Sequence, residues 1–249
     1  MAAANSGARP VVLITGAARR IGAVIARTLH AAGYDVALHC REPRADIDAL
    51  IGELERARAK STLMLAADLA DVAALAPLIA ETVQRFGRLD ALVNNASAFL
   101  PTPVATATPA QWDALFAANA RAPFFLARAA APHLAQRSGA IVNLVDIYAE
   151  NPLAGHPIYS MSKAALAAMT KALARDLAPD VRVNGVSPGA VLWPDAGKGE
   201  ADKQAIIERT PLKRVGTPED IAGAVRWLLA AQFVTGEIVR VDGGRHLVG

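Results

Sequence analysis

The chain has 249 residues, a formal net charge of +3 and a single cysteine, Cys40. This length suits one α/β domain with a full core, and a lone cysteine excludes an internal disulfide and predicts a reducing compartment, the cytoplasm. No apolar run reaches the roughly 18 residues needed to span a bilayer, and the basic residues are scattered, so we expect neither a membrane nor a nucleic-acid partner.

The N-terminal residues 1–9 lack a basic region followed by an apolar one, so we expect a flexible lead rather than a secretory signal. A continuous apolar run over residues 10–14 then predicts a strand that is buried on both faces. The five histidines of the chain show no metal-ligand spacing, and we expect no metal site.

A glycine turn over residues 15–22 joins this strand to a helix predicted over residues 21–32. Gly16 lets the chain turn tightly, and Gly22 allows the helix to pack closely on the strand. The N–H groups exposed at the start of a helix favour phosphate, so the turn predicts a site for a nucleotide pyrophosphate. A plain strand-to-helix turn that contains glycine is the alternative.

The second predicted strand, residues 35–39, lacks the acidic residue that binds the ribose hydroxyl of NAD at its carboxyl end. Arg41 stands there instead, and the first acid is Glu42. Arg41, with Arg19 and Arg20 on the neighbouring turn, would neutralise a 2′-phosphate, which predicts NADP(H) as the cofactor. Alternatively, Arg41 is a solvated loop residue.

The remaining apolar runs and helical patterns continue the alternation of strand and helix. Helices are predicted over residues 46–58, 72–86, 109–118, 122–135 and 159–178, with a last helix opening at Thr217, and strands over residues 62–66, 89–93, 140–145, 181–186 and 238–241. Seven strands alternating with helices predict a parallel sheet covered by helices on both faces, an α/β fold in one domain over residues 10–249. Residues 190–212 are polar and rich in glycine, proline and charge, which predicts a mobile substrate lid.

Polar residues follow several strand ends, the edge at which ligands bind in such sheets. Asp68 and Leu69 follow the third strand, and Asn95 and Ala96 follow the fourth. Phe99, on a proline-flanked loop, either exposes a ring for stacking or plugs the core. Asn119 marks a break between two helices, where its side chain can bond locally.

Tyr159 and Lys163 are four residues apart on one predicted helix, so they share a face. A fixed ammonium lowers the pKa of a nearby phenol, and such a pair can exchange a proton with a substrate. Taken by itself, the pair favours the reading of two unrelated surface residues.

These signals occur together in an order that resembles the short-chain dehydrogenase/reductase family over essentially the whole chain. They are the glycine turn at 15–22, Asp68–Leu69, Asn94–Asn95–Ala96, Asn119, Tyr159/Lys163, Pro188–Gly189 and Asp242–Gly243–Gly244. The resemblance implies a Rossmann sheet, a nicotinamide cofactor and a homotetramer whose contacts involve helices near 122–135 and 160–178.

Two departures from the family pattern resemble the pteridine reductases. Arg20 replaces a glycine of the turn, and Asp146 stands where the family usually has a serine, thirteen residues before Tyr159. The segment containing Phe99 resembles the one whose phenylalanine stacks on a pterin. By this resemblance Asp146 serves the substrate; alternatively it caps a loop N–H. Arg20 contacts both the cofactor and the pterin, or a cofactor phosphate alone.

The resemblance assigns roles residue by residue. The catalytic residues are Asp146, Tyr159, Lys163 and Asn119, the last on a water-linked path to Lys163. The cofactor-binding residues are Gly16, Arg19, Arg20, Ile21, Gly22, His39, Arg41, Asp68, Leu69, Asn95, Ala96, Tyr159, Lys163, Pro188 and Gly189. The substrate-binding residues are Arg20, Ser97, Phe99, Asp146, Tyr159 and Trp193.

The function implied is reduction of a C=N bond of a pterin or dihydropterin by NADPH. A carbonyl or 3-oxoacyl reductase of the same family explains Tyr159 and Lys163 but neither Asp146 nor Phe99. A dinucleotide-binding protein without catalysis is a third reading, which the presence of both Tyr159 and Lys163 disfavours.

Overall fold

Seven strands form one parallel sheet in the computed structural model, which describes residues 9–192 and 199–248. The strands are β1 (Val11–Ile14), β2 (Asp35–Cys40), β3 (Thr62–Ala66), β4 (Ala91–Asn94), β5 (Ala140–Leu144), β6 (Arg182–Pro188) and β7 (Ile238–Val241). Their order across the sheet is β3-β2-β1-β4-β5-β6-β7, and every neighbouring pair is parallel. The predicted parallel sheet is confirmed, and its order reverses between β1 and β4, where such sheets bind ligands.

Eight α-helices connect or follow these strands within the described residues. They are α1 (Arg20–Ala31), α2 (Ala45–Ala57), α3 (Leu75–Phe86), α4 (Pro109–Phe116), α5 (Ala122–Ala135), α6 (Pro157–Asp176), α7 (Glu200–Arg209) and α8 (Pro218–Ala230). None of the helices in this part of the chain is long and apolar enough to cross a membrane.

The helices cover both faces of the sheet because alternate strand residues point to opposite sides. Val12 and Ile14 of β1 pack into a cluster with α1, α2 and α8. Val11 and Leu13 pack on the other face with α3, α5 and α6. Burial on both faces explains why the sequence of β1 is an unbroken apolar run. Burying each of these apolar side chains contributes about 1.5–3 kcal/mol of transfer free energy.

Two segments differ from their prediction. Residues 109–135 are helical throughout, because the expected break at Asn119 is a π-helical turn, Ala117–Arg121, between α4 and α5. Residues 190–212, predicted as a mobile substrate lid, include α7, a helix that was not expected; the role of a lid stays a prediction. Its sequence consists largely of good helix formers, with Glu200 and Asp202 in the first turn and Arg209 in the last, as the helix dipole favours.

Some predictions lie outside the described residues. These are most of the expected N-terminal lead, residues 1–8, and Trp193 of the expected substrate loop. The predicted start of the last helix at Thr217 is confirmed, and this residue caps it: the Thr217 hydroxyl accepts a hydrogen bond from the Asp220 N–H, and the Asp220 carboxylate accepts one from the Thr217 N–H.

Candidate active site

The glycine turn after β1 is held to the end of β4 by a small set of hydrogen bonds. The Asn95 side chain donates to the carbonyl oxygens of Thr15 and Gly16 at 2.8 and 3.0 Å. The Thr15 hydroxyl oxygen accepts from the N–H groups of Asn95 and Ala96, both at 3.0 Å. The two strand ends at the reversal of the sheet are therefore locked together beside the turn.

Both glycines of the turn are required by its geometry. Gly16 has a φ of +64°, which favours glycine. A Cβ on Gly22 would lie 2.2 Å from the Gly16 carbonyl oxygen and 2.6 Å from the Asn95 amide nitrogen. The start of α1 consequently lies against the turn with no side chain between them, a cradle that fits the pyrophosphate of a dinucleotide.

Arg20 occupies an unusual backbone conformation at the first residue of α1. Its φ is +55°, in the left-handed region that disfavours side chains, while Arg19 before it is extended. The family pattern has glycine at this position, so the chain keeps the backbone of a glycine turn and adds a guanidinium. Strain of this kind clusters at functional sites because the surrounding structure must maintain it.

His39 lies beneath the turn. Its Nδ1 accepts a hydrogen bond from the Gly16 N–H at 3.2 Å, which leaves Nε2 to donate to the Ala67 carbonyl oxygen at 3.0 Å. Burial lowers the pKa of His39, consistent with a neutral ring in this tautomer. Sequence reasoning assigned His39 to the cofactor and missed this bracing of the turn; its cofactor contact stays a prediction.

Arg41 and Asp68 form an ion pair with 2.9 Å between Nη2 and Oδ2. The pair joins the loops after β2 and β3, and both side chains are exposed. An exposed pair contributes about 0–1 kcal/mol, so an incoming phosphate can replace the carboxylate. The side chain of Leu69 is buried in the core, which leaves its backbone as the part that can contact a cofactor.

At the end of β6, Gly189 lies against the C-terminal segment. Its N–H donates to the Val241 carbonyl oxygen at 3.1 Å, and a Cβ there would lie 2.7 Å from the Cα of Asp242. Pro188 is the last residue of the strand. The predicted cofactor contacts of both residues are not tested by this arrangement.

The structure brings Asp146 and Tyr159 into direct contact. The Tyr159 hydroxyl donates to Asp146 Oδ2 at 2.7 Å, and Asp146 Oδ1 accepts the Tyr148 N–H at 2.9 Å. Asp146 follows β5, and Tyr159 lies in the first turn of α6. The carboxylate therefore caps a loop N–H, as one of its two readings expected, and it also contacts the tyrosine; its service to the substrate stays a prediction.

Burial and mutual proximity shift the pKa values of this pair upward. Burial raises the pKa of Tyr159 well above its ordinary value, and the charge of Asp146 adds to the effect. Burial likewise raises the pKa of Asp146, against the hydrogen bonds that it accepts and the charge of Lys163. The expected lowering of the tyrosine pKa by Lys163 is thus outweighed, and Tyr159 holds its proton at neutral pH.

Lys163 lies one turn after Tyr159 on the same face of α6, as predicted. Its buried ammonium donates to the Leu144 carbonyl oxygen at 2.8 Å and lies 5.9 Å from the centroid of the Tyr159 ring. Burial lowers the pKa of Lys163 to about 8, against the attraction of Asp146. The site therefore contains a lysine that changes charge close to physiological pH.

Asn119 in the π-helical turn uses its whole side chain. Oδ1 accepts from the Ser97 hydroxyl at 3.0 Å and from the Ala98 N–H at 2.9 Å, and Nδ2 donates to the Ala98 carbonyl oxygen and to the Ser162 hydroxyl, both at 2.9 Å. These bonds tie the loop after β4 to α6. Its partners lie 21 to 43 residues away in the sequence, so the expectation of local bonding is wrong; a proton path through Asn119 to Lys163 stays a prediction.

Phe99 exposes its ring, which decides between the two readings of this residue. It is 51% exposed and meets the edge of Tyr159 with 4.7 Å between ring centroids at 84°. It also stacks on His156 at 4.7 Å and 17°. His156, whose Nδ1 lies 3.0 Å from the Ala154 carbonyl oxygen, was missed by sequence reasoning because no motif marks it.

The predicted site residues thus fall into two adjoining groups. Gly16, Gly22, Asn95 and Ala96 form the turn site, and Ser97 continues from Ala96 into a group with Phe99, Asn119, Asp146, Tyr159 and Lys163. Across residues 9–192 and 199–248, no group of three His, Cys, Asp or Glu residues is placed to hold a metal ion. The arrangement offers a protonated phenol, a carboxylate and an ammonium beside an exposed ring.

Comparison with known proteins agrees with this geometry. The sequence model of the family described as Enoyl-(Acyl carrier protein) reductase matches residues 16–246. Pteridine reductase 1 of Leishmania tarentolae is 35% identical to the chain over 98% of each protein. Granaticin polyketide synthase putative ketoacyl reductase 2 of Streptomyces violaceoruber is also 35% identical, over 96% of this chain and 97% of that protein.

A third relative, the 3-oxoacyl-(acyl-carrier-protein) reductase FabG of Staphylococcus aureus, is 34% identical over 94% of this chain and 97% of that protein. The matches extend over nearly the whole chain, and the residues matched by the family model, 16–246, span Tyr159 and Lys163. The chain therefore belongs to the short-chain dehydrogenase/reductase family of oxidoreductases.

Proposed function

We propose that the protein is an NADPH-dependent pteridine reductase, which reduces a C=N bond of an oxidised pterin or dihydropterin. The observation that carries the proposal is the 2.7 Å hydrogen bond from the Tyr159 hydroxyl to Asp146, beneath the exposed ring of Phe99. The similarity to a protein named pteridine reductase 1 supports it.

Family membership implies a nicotinamide dinucleotide, and the residues present fit one. Gly16 and Gly22 would hold its pyrophosphate at the start of α1, where a Cβ on Gly22 has no space. Arg41, at the end of β2 where NAD-specific sites have an acid, supports NADP(H) over NAD(H). Binding of a 2′-phosphate would exchange the Asp68 carboxylate for the phosphate as the partner of Arg41.

When bound, the cofactor supplies the hydride for the carbon of the C=N bond. Tyr159 transfers its hydroxyl proton to the nitrogen of that bond, which completes the reduction. Before the transfer, the Tyr159 hydroxyl donates its hydrogen bond to Asp146. After it, the raised pKa of Asp146 allows this residue to return a proton to the phenolate. The ammonium of Lys163 stabilises the phenolate meanwhile.

The substrate would bind against the exposed face of Phe99, since flat heterocycles stack well on aromatic rings. Arg20 and Ser97 are proposed to supply polar contacts to the substrate. Trp193, outside the described residues, is proposed to contact the tail of the substrate.

A carbonyl or 3-oxoacyl reductase is the second candidate. The ketoacyl reductase and FabG relatives favour it, and so does the description of the matching family. It accounts for Tyr159 and Lys163, but it gives no role to the carboxylate of Asp146.

The test is NADPH oxidation by the purified protein with a dihydropterin, beside a β-ketoester and a quinone. Fast turnover of the dihydropterin alone supports the proposal, and turnover confined to the carbonyl compounds refutes it. Tyr159→Phe is the control for chemistry: it should abolish turnover while NADPH binding, measured by fluorescence, is retained.

We further propose a homotetramer with contacts through α5 and α6. Phe124 on α5 and Met161 on α6 are exposed apolar side chains on the predicted contact helices. Light scattering should give four times the chain mass, and Phe124→Glu should lower it. A monomer in solution would contradict this proposal.

A further inference from the structure

Arg245 lies close to the active site although no sequence motif includes it. It begins a short 3₁₀ turn, Arg245–Leu247, directly after Gly244, whose φ is +84°. The sheet order places the carboxyl end of β7 next to that of β6 and one strand further from β5, which leads into Asp146. The chain turns here, and the Arg245 N–H donates to the Asp242 carbonyl oxygen at 3.2 Å.

The guanidinium of Arg245 contains a buried donor without a partner. Its Nη1 is buried and makes no hydrogen bond to any of the described residues. A buried donor left unsatisfied is costly, more so on a charged group, and native structures seldom retain one without a reason.

The same guanidinium acts on the catalytic carboxylate. The charge of Arg245 lowers the pKa of Asp146 and that of Tyr148, which places it within electrostatic reach of both. The other groups that face Asp146 are Tyr159 and Lys163 of α6. No described side chain accepts a hydrogen bond from Nη1, which leaves this N–H available to an acceptor on a bound molecule.

We propose that Arg245 binds the substrate, donating this buried N–H to an acceptor oxygen beside Asp146. The identity of the oxygen rests on the proposed function: in a dihydropterin it is the ring carbonyl. That carbonyl lies on the same edge of the pterin as the ring nitrogen of the reducible C=N bond. One edge of the substrate therefore meets Arg245 through its oxygen and Tyr159 through its nitrogen.

The test compares Arg245→Met and Arg245→Lys with the wild-type protein. Loss of a charged hydrogen bond should raise the KM for the dihydropterin about tenfold or more in Arg245→Met, and Arg245→Lys should restore part of it. NADPH affinity and melting temperature should change little. Arg240→Met is the matched control, because Arg240 lies on β7 and pairs with Glu150 at the surface.

Three outcomes separate the two proposals. An unchanged KM in Arg245→Met overturns the inference, as does an equal loss of NADPH affinity, which would indicate a structural role. If Arg245→Met fails to fold, Arg245→Lys and Arg245→Gln decide by the same comparison. If the wild-type protein reduces only the β-ketoester, the proposed function fails, and the KM for that compound then tests Arg245.

Discussion

Replacing Asp146 by asparagine separates its two contacts. An asparagine side chain can still accept the Tyr148 N–H through its oxygen, so the cap that Asp146 provides at 2.9 Å survives. The amide is neutral, however, and it cannot accept the Tyr159 hydroxyl as a carboxylate does at 2.7 Å. The variant removes the charge while leaving the loop in place.

The magnitude follows from that hydrogen bond. Hydrogen bonds to charged groups contribute about 1.5–3 kcal/mol, which corresponds to roughly 10- to 100-fold in rate. We therefore expect kcat/KM for a dihydropterin to fall by that factor in Asp146→Asn, with the melting temperature and the Kd for NADPH nearly unchanged.

The assay is steady-state NADPH oxidation, with cofactor binding measured separately by fluorescence. A kcat/KM close to that of the wild-type protein would show that the carboxylate is only a loop cap. Parallel losses in kcat/KM and in NADPH affinity would show that the substitution disturbs the turn site, and either result would refute the role proposed for Asp146.

Three other residues give separate predictions. Gly22→Ala should lower NADPH affinity more than tenfold in a fluorescence titration, because the new Cβ lies 2.2 Å from the Gly16 carbonyl oxygen; unchanged affinity would contradict the turn as the pyrophosphate site. The kcat/KM of the wild-type protein should decline above pH about 8 as Lys163 loses its charge, and Lys163→Arg, if active, should lack the decline. Burial lowers the pKa of His39 from 6.5, so the neutral ring stabilises the folded protein fully above that pH and less as the pH falls below it. The difference in melting temperature between the wild-type protein and His39→Gln should therefore shrink as the pH falls. A constant difference would argue against the neutral ring under the turn.

Local patterns were sufficient to predict the sheet and the shared helix face of Tyr159 and Lys163. The apolar run at β1 and the glycine turn after it depend on neighbours in sequence, and so does the spacing of Tyr159 and Lys163 on one helix. Contacts between separate strand ends are less accessible. His39 and Gly16 meet because β1 and β2 are adjacent in the sheet. A histidine within an apolar strand gives no sequence signal that predicts its hydrogen bond to a turn.

Two further features depend on the assembled fold. The π-helical turn at Asn119 follows from the bonds of its side chain to Ala98 and Ser162, which lie on other elements. The position of Arg245 follows from the order of β5, β6 and β7 across the sheet. In both cases the residue type is ordinary, and its partners lie far away in the sequence.

The raised pKa of Tyr159 bears on which substrates the site can protonate. A carboxylate beside the phenol makes it a weaker acid, and the nitrogen of a C=N bond is far more basic than a ketone oxygen. A weak acid suits the imine better than the ketone, which supports the proposed function.

Asp146→Ser, which introduces the residue usual in the family, should therefore strengthen the acid and raise kcat/KM for a β-ketoester relative to that for a dihydropterin. We expect the ratio of the two values to change about tenfold or more. Asp146→Asn, which also lacks the charge, should change it in the same direction, and Tyr159→Phe in the Asp146→Ser background should abolish both activities. An unchanged ratio in both neutral variants would mean that the charge of Asp146 does not select the substrate.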